Sequence, residues 1–336
     1  MTEVAVLGAG SWGTALGILL LENGHDVALW EFDAEQAEAV RRDGENRKFL
    51  PGVEVPAEVG ITSDIREAIA GREAVVFAVP SHTVREVAAR SREYVTPDAL
   101  VVNVAKGIEN GTLRRMSEVL SQELERPDAA RIASLVGPSH AEEVSRGLPT
   151  VVVAAAVREE TAVDARDLFM TDRFRVYTNT DLVGVELGVS LKNVIAIAAG
   201  ICDGLGYGDN TKGALITRGL AEMTRLGVAM GGEPATFAGL SGMGDLITTC
   251  ISSHSRNRHV GEQIASGRSL EEILSTMVMV AEGVRTTRSA VALAERHGVE
   301  MPITEQMHEV LFEEKDPCEA IAELMMRDPK PETAGL

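Results

Sequence analysis

The chain has 336 residues and a formal net charge of −19, with 45% hydrophobic and 25% charged residues. This length allows two domains with substantial cores, and the composition is that of an ordinary globular protein. No uninterrupted run approaches the roughly 18 apolar residues of a membrane-spanning helix, so no membrane partner is expected. A nucleic-acid surface needs a basic patch, which the acidic balance argues against. Such an acidic, arginine-rich composition suits a high-salt cytoplasm, although a GC-rich genome also favours arginine.

The N-terminus and the cysteines indicate the cellular location. A strand-like run, residues 3–7, begins almost at once, so we expect neither a signal peptide nor a transit peptide. The three cysteines, Cys202, Cys250 and Cys318, lie far apart and form no CxxC pair. This pattern predicts a reducing cytoplasm, and it argues against a disulfide framework and against a metal site.

A glycine-rich string, GAGSWG, lies between the first strand-like run and an apolar helical pattern. In this position a GxGxxG string predicts a dinucleotide-binding turn, in preference to a glycine-rich turn without a ligand. Gly8 allows the tight turn, Gly10 lets a pyrophosphate approach the backbone, and Gly13 lets helix and strand pack closely. The phosphate charge is then expected at the start of the helix.

The residues that follow the second strand-like run usually distinguish NAD from NADP. An acidic residue there binds the ribose hydroxyls of NAD, whereas a basic one accepts the 2′-phosphate of NADP. This chain has Glu31, Phe32 and Asp33, which mildly favours NAD. NADP stays open, because Arg47 or Lys48 could turn toward the phosphate from the following loop.

Strand-like runs alternate with helical patterns up to about residue 180, and only helical patterns follow. This alternation predicts an α/β domain over residues 1–180 with a parallel, doubly wound, Rossmann-type sheet. The lack of strand signals afterwards predicts an all-α domain over residues 181–336. The predicted strands are residues 3–7, 26–30, 74–79, 100–104, 132–136, 150–155 and 174–177, and the predicted helices between them are near residues 14–21, 82–92, 113–124, 141–146 and 160–169.

The stretch from Asp181 to Gly204 has apolar or small residues on nearly every side of a helix, so it should be buried. Lys192 and Asn193 lie in its middle. Burying an ammonium costs several kcal/mol unless it is paired or gives up its proton. One interpretation is a lysine that extends its charge to the surface. The other is a functional lysine, for which the chain must supply polar neighbours.

Two further side chains are candidates for the same chemistry. Lys106 follows the predicted strand at residues 100–104, at the sheet edge where doubly wound folds bind ligands. Asp245 follows a glycine-rich loop, residues 239–244, and could hold a lysine in place and adjust its protonation. The simpler interpretations are a solvated loop lysine and a helix N-cap, respectively.

A pattern suited to phosphate occurs at Ser255, Arg256 and Asn257, which begin a helical stretch. Unpaired backbone amides at a helix start bind anions well, and an arginine side chain adds a bidentate partner. A surface arginine near a helix start is the alternative. Because the net charge is strongly negative, an anionic substrate needs such a locally positive site.

Eleven sequence blocks occur in order over nearly the whole chain, and together they are similar to those of one family. The chain resembles the bacterial-type, soluble NAD(P)-dependent glycerol-3-phosphate dehydrogenases. Because the blocks span both predicted domains, the resemblance covers the chain and not a single motif. The blocks are GAGSWGTAL, VPSH, AKGIE, GPSHAEEV, GLPTVVV, ELGVSLKNVIAIAAG, TRGLAEMTRLG, GLSGMGDLITTC, SRNR, VAEGV and GVEMPIT.

The resemblance implies reversible reduction of dihydroxyacetone phosphate to sn-glycerol 3-phosphate, which feeds glycerophospholipid synthesis. It also implies that the protein is a homodimer. It implies that Lys192 donates and accepts the proton at the C2 oxygen, that Lys106 lies beside cofactor and substrate, and that Asp245 organises the lysine. Many relatives have a basic residue or histidine where this chain has Phe32 and Asp33, which leaves NADP use open.

The expected site residues combine those derived from the pattern and those implied by the resemblance. The expected substrate contacts are Lys106, Gly137, Ser139, Lys192, Asn193, Asp245, Ser255, Arg256 and Asn257. The expected cofactor contacts are Gly8, Gly10, Ser11, Trp12, Gly13, Glu31, Phe32, Lys106, Ala141, Arg256, Val280 and Glu282.

Two other functions remain as alternatives. A related two-domain dehydrogenase could act on an unphosphorylated hydroxy acid, although the phosphate-type pattern at residues 255–257 disfavours it. A nicotinamide-sensing protein without catalysis would not need Lys106, Lys192 and Asp245 together, and this chain has all three.

Overall fold

The computed structural model describes residues 1–332 and divides them between two compact units. The first unit contains Met1–Lys106 and Met116–Leu182. The second contains Gly107–Arg115 and the described chain from Val183 onward. The boundary at residue 180 stays a prediction, and no sequence signal indicated that Gly107–Arg115 belongs to the second unit.

One sheet accounts for every strand of three or more residues within residues 1–332, and it lies in the first unit. Its strands are β1 (Glu3–Leu7), β2 (Asp26–Trp30), β3 (Gly60–Thr62), β4 (Ala74–Phe77), β5 (Leu100–Asn103), β6 (Ile132–Val136), β7 (Thr150–Ala156) and β8 (Phe174–Asn179). Across the sheet they follow the order β3-β2-β1-β4-β5-β6-β7-β8. The order reverses between β1 and β4, which is where a doubly wound sheet binds its ligand. The predicted α/β, Rossmann-type fold is thereby confirmed.

The sheet is not parallel throughout, which corrects the expectation from the sequence. Strands β6 and β7 are antiparallel, with Val136 opposite Val153, whereas each other adjacent pair of described strands is parallel. The connection from β6 to β7 contains only a four-residue helix, Ala141–Val144. Such a helix is about 6 Å long and cannot recross a strand of about 16 Å. No sequence-based prediction covered the short edge strand β3.

Helices cover both faces of the central strands of this sheet, which are therefore buried on both sides, whereas the edge strand β8 exposes Arg175 and Tyr177. Val4 and Val6 of β1 belong to one core and Ala5 and Leu7 to the other, as the two-residue period of a strand requires. The helices of the first unit are α1 (Ser11–Glu22), α2 (Ala34–Asp43), α3 (Ile65–Ile69), α4 (Val84–Ser91), α5 (Met116–Glu123), α6 (Ala141–Val144) and α7 (Glu159–Phe169). No prediction covered α2 and α3, although each begins at an aspartate whose carboxylate caps it.

In the second unit the described chain after Leu182 contains helices and no strands, which confirms the all-α prediction. Its first helix, α8 (Leu182–Gly204), is apolar and long enough to cross a membrane, but 94% of its most apolar window is buried inside the protein. It is therefore the core helix of this unit. The others are α9 (Asp209–Ala229), α10 (Pro234–Phe237), α11 (Asp245–Ile251), α12 (Arg256–Ala265), α13 (Leu270–Thr276), α14 (Glu282–His297), α15 (Pro302–Phe312) and α16 (Pro317–Met325), and a π-helical turn spans Leu240–Gly244.

Glycines let α12 approach α8 closely. A Cβ added at Gly200 would lie 1.9 Å from the carbonyl oxygen of Arg258, and one at Gly261 would lie 2.0 Å from that of Ile197. Any side chain at either position would clash with backbone, so the two helices pack backbone against backbone. This contact fixes the distance between the lysine helix and the helix that begins with the predicted phosphate pattern.

A buried carboxyl on α9 holds the start of α15. Glu222 is 2% exposed and accepts hydrogen bonds from the backbone N–H groups of Ile303 (2.7 Å) and Thr304 (3.2 Å) and from the Thr304 hydroxyl (3.2 Å). The first N–H groups of a helix lack acceptors inside the helix, and the Glu222 carboxyl is the acceptor for two of them in α15. Burial nevertheless raises the pKa of Glu222 to about 7, because loss of hydration outweighs these hydrogen bonds.

The free energy of unfolding should therefore depend on the ionisation of Glu222. In the folded protein its carboxyl keeps a proton up to about pH 7, whereas in the unfolded chain it ionises near 4.5. Since the unfolded state binds fewer protons in this window, stability should fall as pH rises through it, by roughly 3 kcal/mol from this group.

The variant Glu222→Gln copies the neutral carboxyl and should lose this part of the pH dependence. Denaturant unfolding measured at several pH values compares it with the wild type, and the exposed Glu295→Gln serves as the matched control. Parallel stability profiles for wild type and Glu222→Gln would contradict the assignment.

Candidate functional site

The glycine-rich turn has the backbone geometry that a dinucleotide phosphate requires. Gly8 has a φ of 111°, and a Cβ at Gly13 would lie 1.8 Å from the Gly8 carbonyl oxygen, so only glycine fits at both positions. A Cβ at Gly10 would meet no described atom within 4 Å, so this side of the turn is open. Within residues 1–332 no side chain caps the start of α1 at Ser11 and Trp12, which suits an anion at these N–H groups.

Asn46, which no sequence signal indicated, fixes this turn. Its side chain is fully buried, and its amide donates hydrogen bonds to the Ala9 carbonyl oxygen (2.7 Å) and to the Thr14 hydroxyl (2.9 Å). Its own oxygen accepts a hydrogen bond from Gln36 (3.0 Å). The turn is thus held by a polar side chain as well as by its glycines.

The three residues after β2 lie in different environments. Glu31 is 9% exposed and accepts a hydrogen bond from the Asp33 N–H (3.1 Å), and burial raises the pKa of Glu31 above its ordinary value. The Asp33 carboxylate caps α2 by accepting from the N–H groups of Glu35 (3.0 Å) and Gln36 (3.3 Å). Both capping bonds use one oxygen of Asp33, Oδ1. Phe32 is 71% exposed.

Of the two cations suggested for a 2′-phosphate, Arg47 already contacts carboxylates. Its terminal nitrogen lies 3.4 Å from Asp43 Oδ2, and its Nε lies 3.2 Å from Glu45 Oε2. Lys48 lies 5.0 Å from the centre of the Phe49 ring, and its charge lowers the pKa of the nearby Glu31 carboxyl against the larger effect of burial. Lys48 is therefore the cation of this pair whose field reaches the end of β2.

A third cation near the end of β2 was missed by sequence reasoning. The guanidinium of Arg90, on α4, lies 5.3 Å from the centre of the Trp30 ring and 5.6 Å from that of the Phe32 ring. Contacts of this kind are favourable cation–π interactions. Arg90 is 58 residues from Phe32 in sequence (90 − 32), so no local pattern could have found it.

The loops after β5 and β6 bring three predicted residues together. Because β5 and β6 are parallel neighbours, their carboxyl ends lie at the same edge of the sheet. The Lys106 ammonium donates a hydrogen bond to the Gly137 carbonyl oxygen (2.8 Å), and the Ser139 hydroxyl donates to the same oxygen (2.9 Å). Lys106 is half-buried and not a fully solvated loop lysine. Ala141, predicted to touch the cofactor, begins α6 and is buried.

In the second unit Lys192 is buried together with polar partners. It is 4% exposed, so its charge does not extend to the surface. Its Nζ lies 3.1 Å from Asp245 Oδ1 and donates a hydrogen bond to the Thr249 hydroxyl (2.5 Å). The Thr249 hydroxyl in turn donates to the Asp245 carbonyl oxygen (2.6 Å). Asp245 is the first residue of α11 and 2% exposed, so it is not a plain solvated N-cap.

Thr249 was missed as a functional residue, although it lies in the block GLSGMGDLITTC. The available signal is its spacing: it is four residues after Asp245 and therefore on the same face of α11. The arrangement Lys192–Asp245–Thr249 holds a buried ammonium in a defined position, which is what a proton donor requires.

The neighbouring Asn193 is joined to the start of two other helices. Its side-chain oxygen accepts a hydrogen bond from the Asn257 amide (2.9 Å), and the Asn257 oxygen accepts from the Gly283 N–H (2.9 Å). A Cβ at Gly283 would lie 2.6 Å from the Asn193 carbonyl oxygen, so this approach requires glycine. Asn257 thus connects α8, α12 and α14, and Gly283 is a further contact that sequence reasoning did not single out.

The predicted phosphate residues form the first turn of α12. Ser255 is buried and caps the helix by accepting from the Arg258 N–H (3.2 Å). Arg256 is exposed, and its guanidinium donates a hydrogen bond to the Val280 carbonyl oxygen (3.0 Å). Arg256 and Val280, two predicted cofactor contacts, are therefore adjacent, and another, Glu282, begins α14 two residues after Val280.

The cysteines take no part in these groups. Cys202 and Cys250 are buried and Cys318 is exposed, and all three are free thiols. Burial raises the pKa of Cys250 to about 12, so this thiol stays protonated. Within the part of the chain that the structure describes, no three His, Cys, Asp or Glu side chains are grouped as metal ligands.

Comparison with known proteins identifies the family of this chain. The family described as NAD-dependent glycerol-3-phosphate dehydrogenase matches with its N-terminal part at residues 3–162 and with its C-terminal part at residues 181–322. A curated relative named glycerol-3-phosphate dehydrogenase [NAD(P)+], from Pelotomaculum thermopropionicum, is 57% identical over 97% of this chain and 93% of its own length. One of the same name from Salinibacter ruber is 54% identical over 98% and 96%.

A solved structure shows the same similarity in three dimensions. The crystal structure of glycerol-3-phosphate dehydrogenase from Coxiella burnetii superposes with a TM-score of 0.91 at 38% identity, covering 97% of this chain and 99% of its own. The matches extend over both units and over almost the full length of each relative. The chain belongs to the NAD-dependent glycerol-3-phosphate dehydrogenase family.

Proposed function

We propose that this chain reversibly reduces dihydroxyacetone phosphate to sn-glycerol 3-phosphate with NAD(P)H and so supplies glycerophospholipid synthesis. The observation that carries the proposal is the buried group of Lys192, Asp245 and Thr249 on a scaffold with a dinucleotide-type glycine turn. Curated relatives of more than 50% identity are named for this dehydrogenase with NAD(P)+. A sensor without catalysis would not need a paired lysine in its core.

In this mechanism Lys192 is the proton donor and acceptor. When bound at the glycine turn, the cofactor would supply or accept the hydride at C2 of the substrate. The Lys192 ammonium gives its proton to the C2 oxygen as negative charge develops there, and takes it back in the reverse direction. Asp245 and Thr249 hold the Lys192 side chain in place, because their oxygens lie within hydrogen-bond distance of its Nζ. General acid catalysis of this kind contributes about 10²–10⁴-fold.

The other proposed contacts divide between the carbonyl end and the phosphate end of the substrate. Lys106, Gly137 and Ser139 are assigned to the substrate, with Lys106 also beside the cofactor; their mutual hydrogen bonds support this grouping. Ser255, Arg256 and Asn257 are assigned to the phosphate. Their support is the start of α12, where backbone N–H groups and an exposed arginine favour an anion.

For the cofactor we propose use of both NAD and NADP with a mild preference for NAD. Ser11 and Trp12 are assigned to the pyrophosphate, and Ala141, Arg256, Val280 and Glu282 to other parts of the cofactor. The preference is supported by Glu31, whose carboxyl lies at the end of β2 and would repel a 2′-phosphate. The cations Lys48 and Arg90 nearby moderate that repulsion.

Two further properties are proposals that rest on the family and on composition. We propose that the protein is a cytoplasmic homodimer, with no nucleic-acid or membrane partner. The support is the family resemblance for the dimer, and the net charge of −19 with three free cysteines for the location. Light scattering in solution should give the mass of two chains, and a mass of one chain would contradict the dimer.

Replacing the proton donor should abolish most of the turnover. We expect Lys192→Met to lower kcat for dihydroxyacetone phosphate by about 10²–10⁴-fold, while tryptophan fluorescence still reports NADH binding. The exposed Lys330→Met is the matched control and should keep wild-type kcat. Consumption of reduced cofactor measures the rates. Near-normal turnover by a folded Lys192→Met protein would overturn the role of this lysine.

The hydroxyl of Thr249 should matter independently of the methyl group beside it. We expect Thr249→Val to lower kcat/KM by roughly 10–100-fold, because it removes one hydrogen bond to a buried charge. Thr249→Ser keeps the hydroxyl and should retain most of the activity. Equal rates for the valine and serine variants would show that the hydroxyl does not position Lys192.

Cofactor preference should follow the charge of Glu31. Fluorescence titration should give a lower Kd for NADH than for NADPH. Glu31→Gln should reduce the ratio of the NADPH Kd to the NADH Kd by about tenfold. Because burial raises the pKa of Glu31, the preference should also weaken as the pH falls and the carboxyl gains its proton. The exposed Glu58→Gln should leave both Kd values unchanged. A wild-type protein that binds NADPH more tightly would refute the preference.

A further inference from the structure

The SRNR block contains two arginines with different surroundings. Arg256 is exposed and contacts a backbone carbonyl, as described above. Arg258 is only 20% exposed at its side chain, and its Nε donates a hydrogen bond to Asp203 Oδ2 (2.6 Å). Its terminal nitrogen lies 2.8 Å from Glu262 on the next turn of α12. The charge of Arg258 is therefore already matched by two carboxylates.

Asp203 joins three helices. It lies in the last turn of α8, and its second oxygen accepts a hydrogen bond from Lys212, in the first turns of α9. Burial pushes the pKa of Asp203 upward, but the bonds and charges of Lys212 and Arg258 together outweigh that effect and hold it below its ordinary value. The carboxylate thus stays charged and links α8, α9 and α12.

The first turn of α12 is held to α8 by the two residues that follow Arg256. Asn257 is bound to Asn193 of α8, and Arg258 is bound to Asp203 of the same helix. At Gly200 the backbones of α8 and α12 are in direct contact, so the two helices cannot move closer together. The backbone N–H groups of this turn and the Arg256 side chain are therefore held in a fixed position relative to α8, the helix that carries Lys192.

We propose that Arg258, Asp203 and Lys212 are positioning residues that hold the turn Ser255–Asn257 in the geometry that binds the substrate phosphate. This inference rests on the proposed function, which assigns that turn to the phosphate. Arg258 acts through the turn and is not itself a phosphate ligand. The attraction for the phosphate comes from Arg256 and the N–H groups of the turn.

The test compares Arg258→Gln, Asp203→Asn and the double variant. Each should raise KM for dihydroxyacetone phosphate roughly tenfold, the size expected for loss of one charged hydrogen bond. The inhibition constant of inorganic phosphate against this substrate should rise in parallel. The kcat should change less than twofold, and Lys212→Met should shift KM in the same direction by a smaller factor.

The double variant separates positioning from direct binding. If Arg258 acts through Asp203, the double variant should resemble either single variant, because both changes break the same link. Multiplied effects would overturn the proposal and make Arg258 a direct ligand. A lower Tm with unchanged KM and phosphate inhibition would also overturn it, since the network would then only stabilise the fold.

Two controls keep this test distinct from that of the function. Arg268→Gln, in the loop after the same helix, should leave KM unchanged because its partners are Gln263 and Glu272. Arg258→Lys should keep part of the phosphate affinity that Arg258→Gln loses, because a lysine can still pair with Asp203. A wild-type protein that neither turns over dihydroxyacetone phosphate nor binds inorganic phosphate refutes the proposed function, whereas a normal wild type with unaffected variants refutes only the positioning.

Discussion

The need to compensate one buried positive charge organises the second unit. Helix α8 is the core of that unit, and an unpaired ammonium in its middle would cost several kcal/mol. Asp245 provides the opposite charge and Thr249 a hydroxyl, both from α11. A buried ion pair adds little net stability, since removal of water from both charges offsets their attraction. Its retention in the core is therefore better explained by chemistry than by stability.

Each unit uses a buried asparagine to fix a backbone segment that its glycines allow to come close. Asn46 holds the carbonyl of Ala9 inside the GAGSWG turn. Asn257 joins Asn193 to the N–H of Gly283 at the start of α14. Glycine permits the close approach but does not by itself define one conformation, because it is the least restricted residue. The amide side chains supply the directional bonds that select one.

Local patterns predicted what depends on local chemistry. The glycine turn, the helix around Lys192 and the α/β-then-α order follow from spacing and periodicity, and the fold class is confirmed. The antiparallel pairing of β7 was not predicted, although the predicted helix at residues 141–146 would be only about 9 Å long and so already too short to recross a strand. Thr249 and Asn46 were missed since their importance lies in partners from distant parts of the chain. The residue roles remain predictions.

The segment Gly107–Arg115 means that the chain passes from the first unit to the second, returns, and passes over again. Ile108 lies in the core of the second unit, Arg115 pairs with the buried Glu186 of α8 (2.8 Å), and Ser289 binds Asn110 (2.9 Å). A fragment that begins at Val183 would lack this piece and leave the Glu186 charge without that arginine. The second unit is thus not one continuous stretch of chain, and recombination between relatives at a single junction near residue 183 would build its core from residues of two different parents.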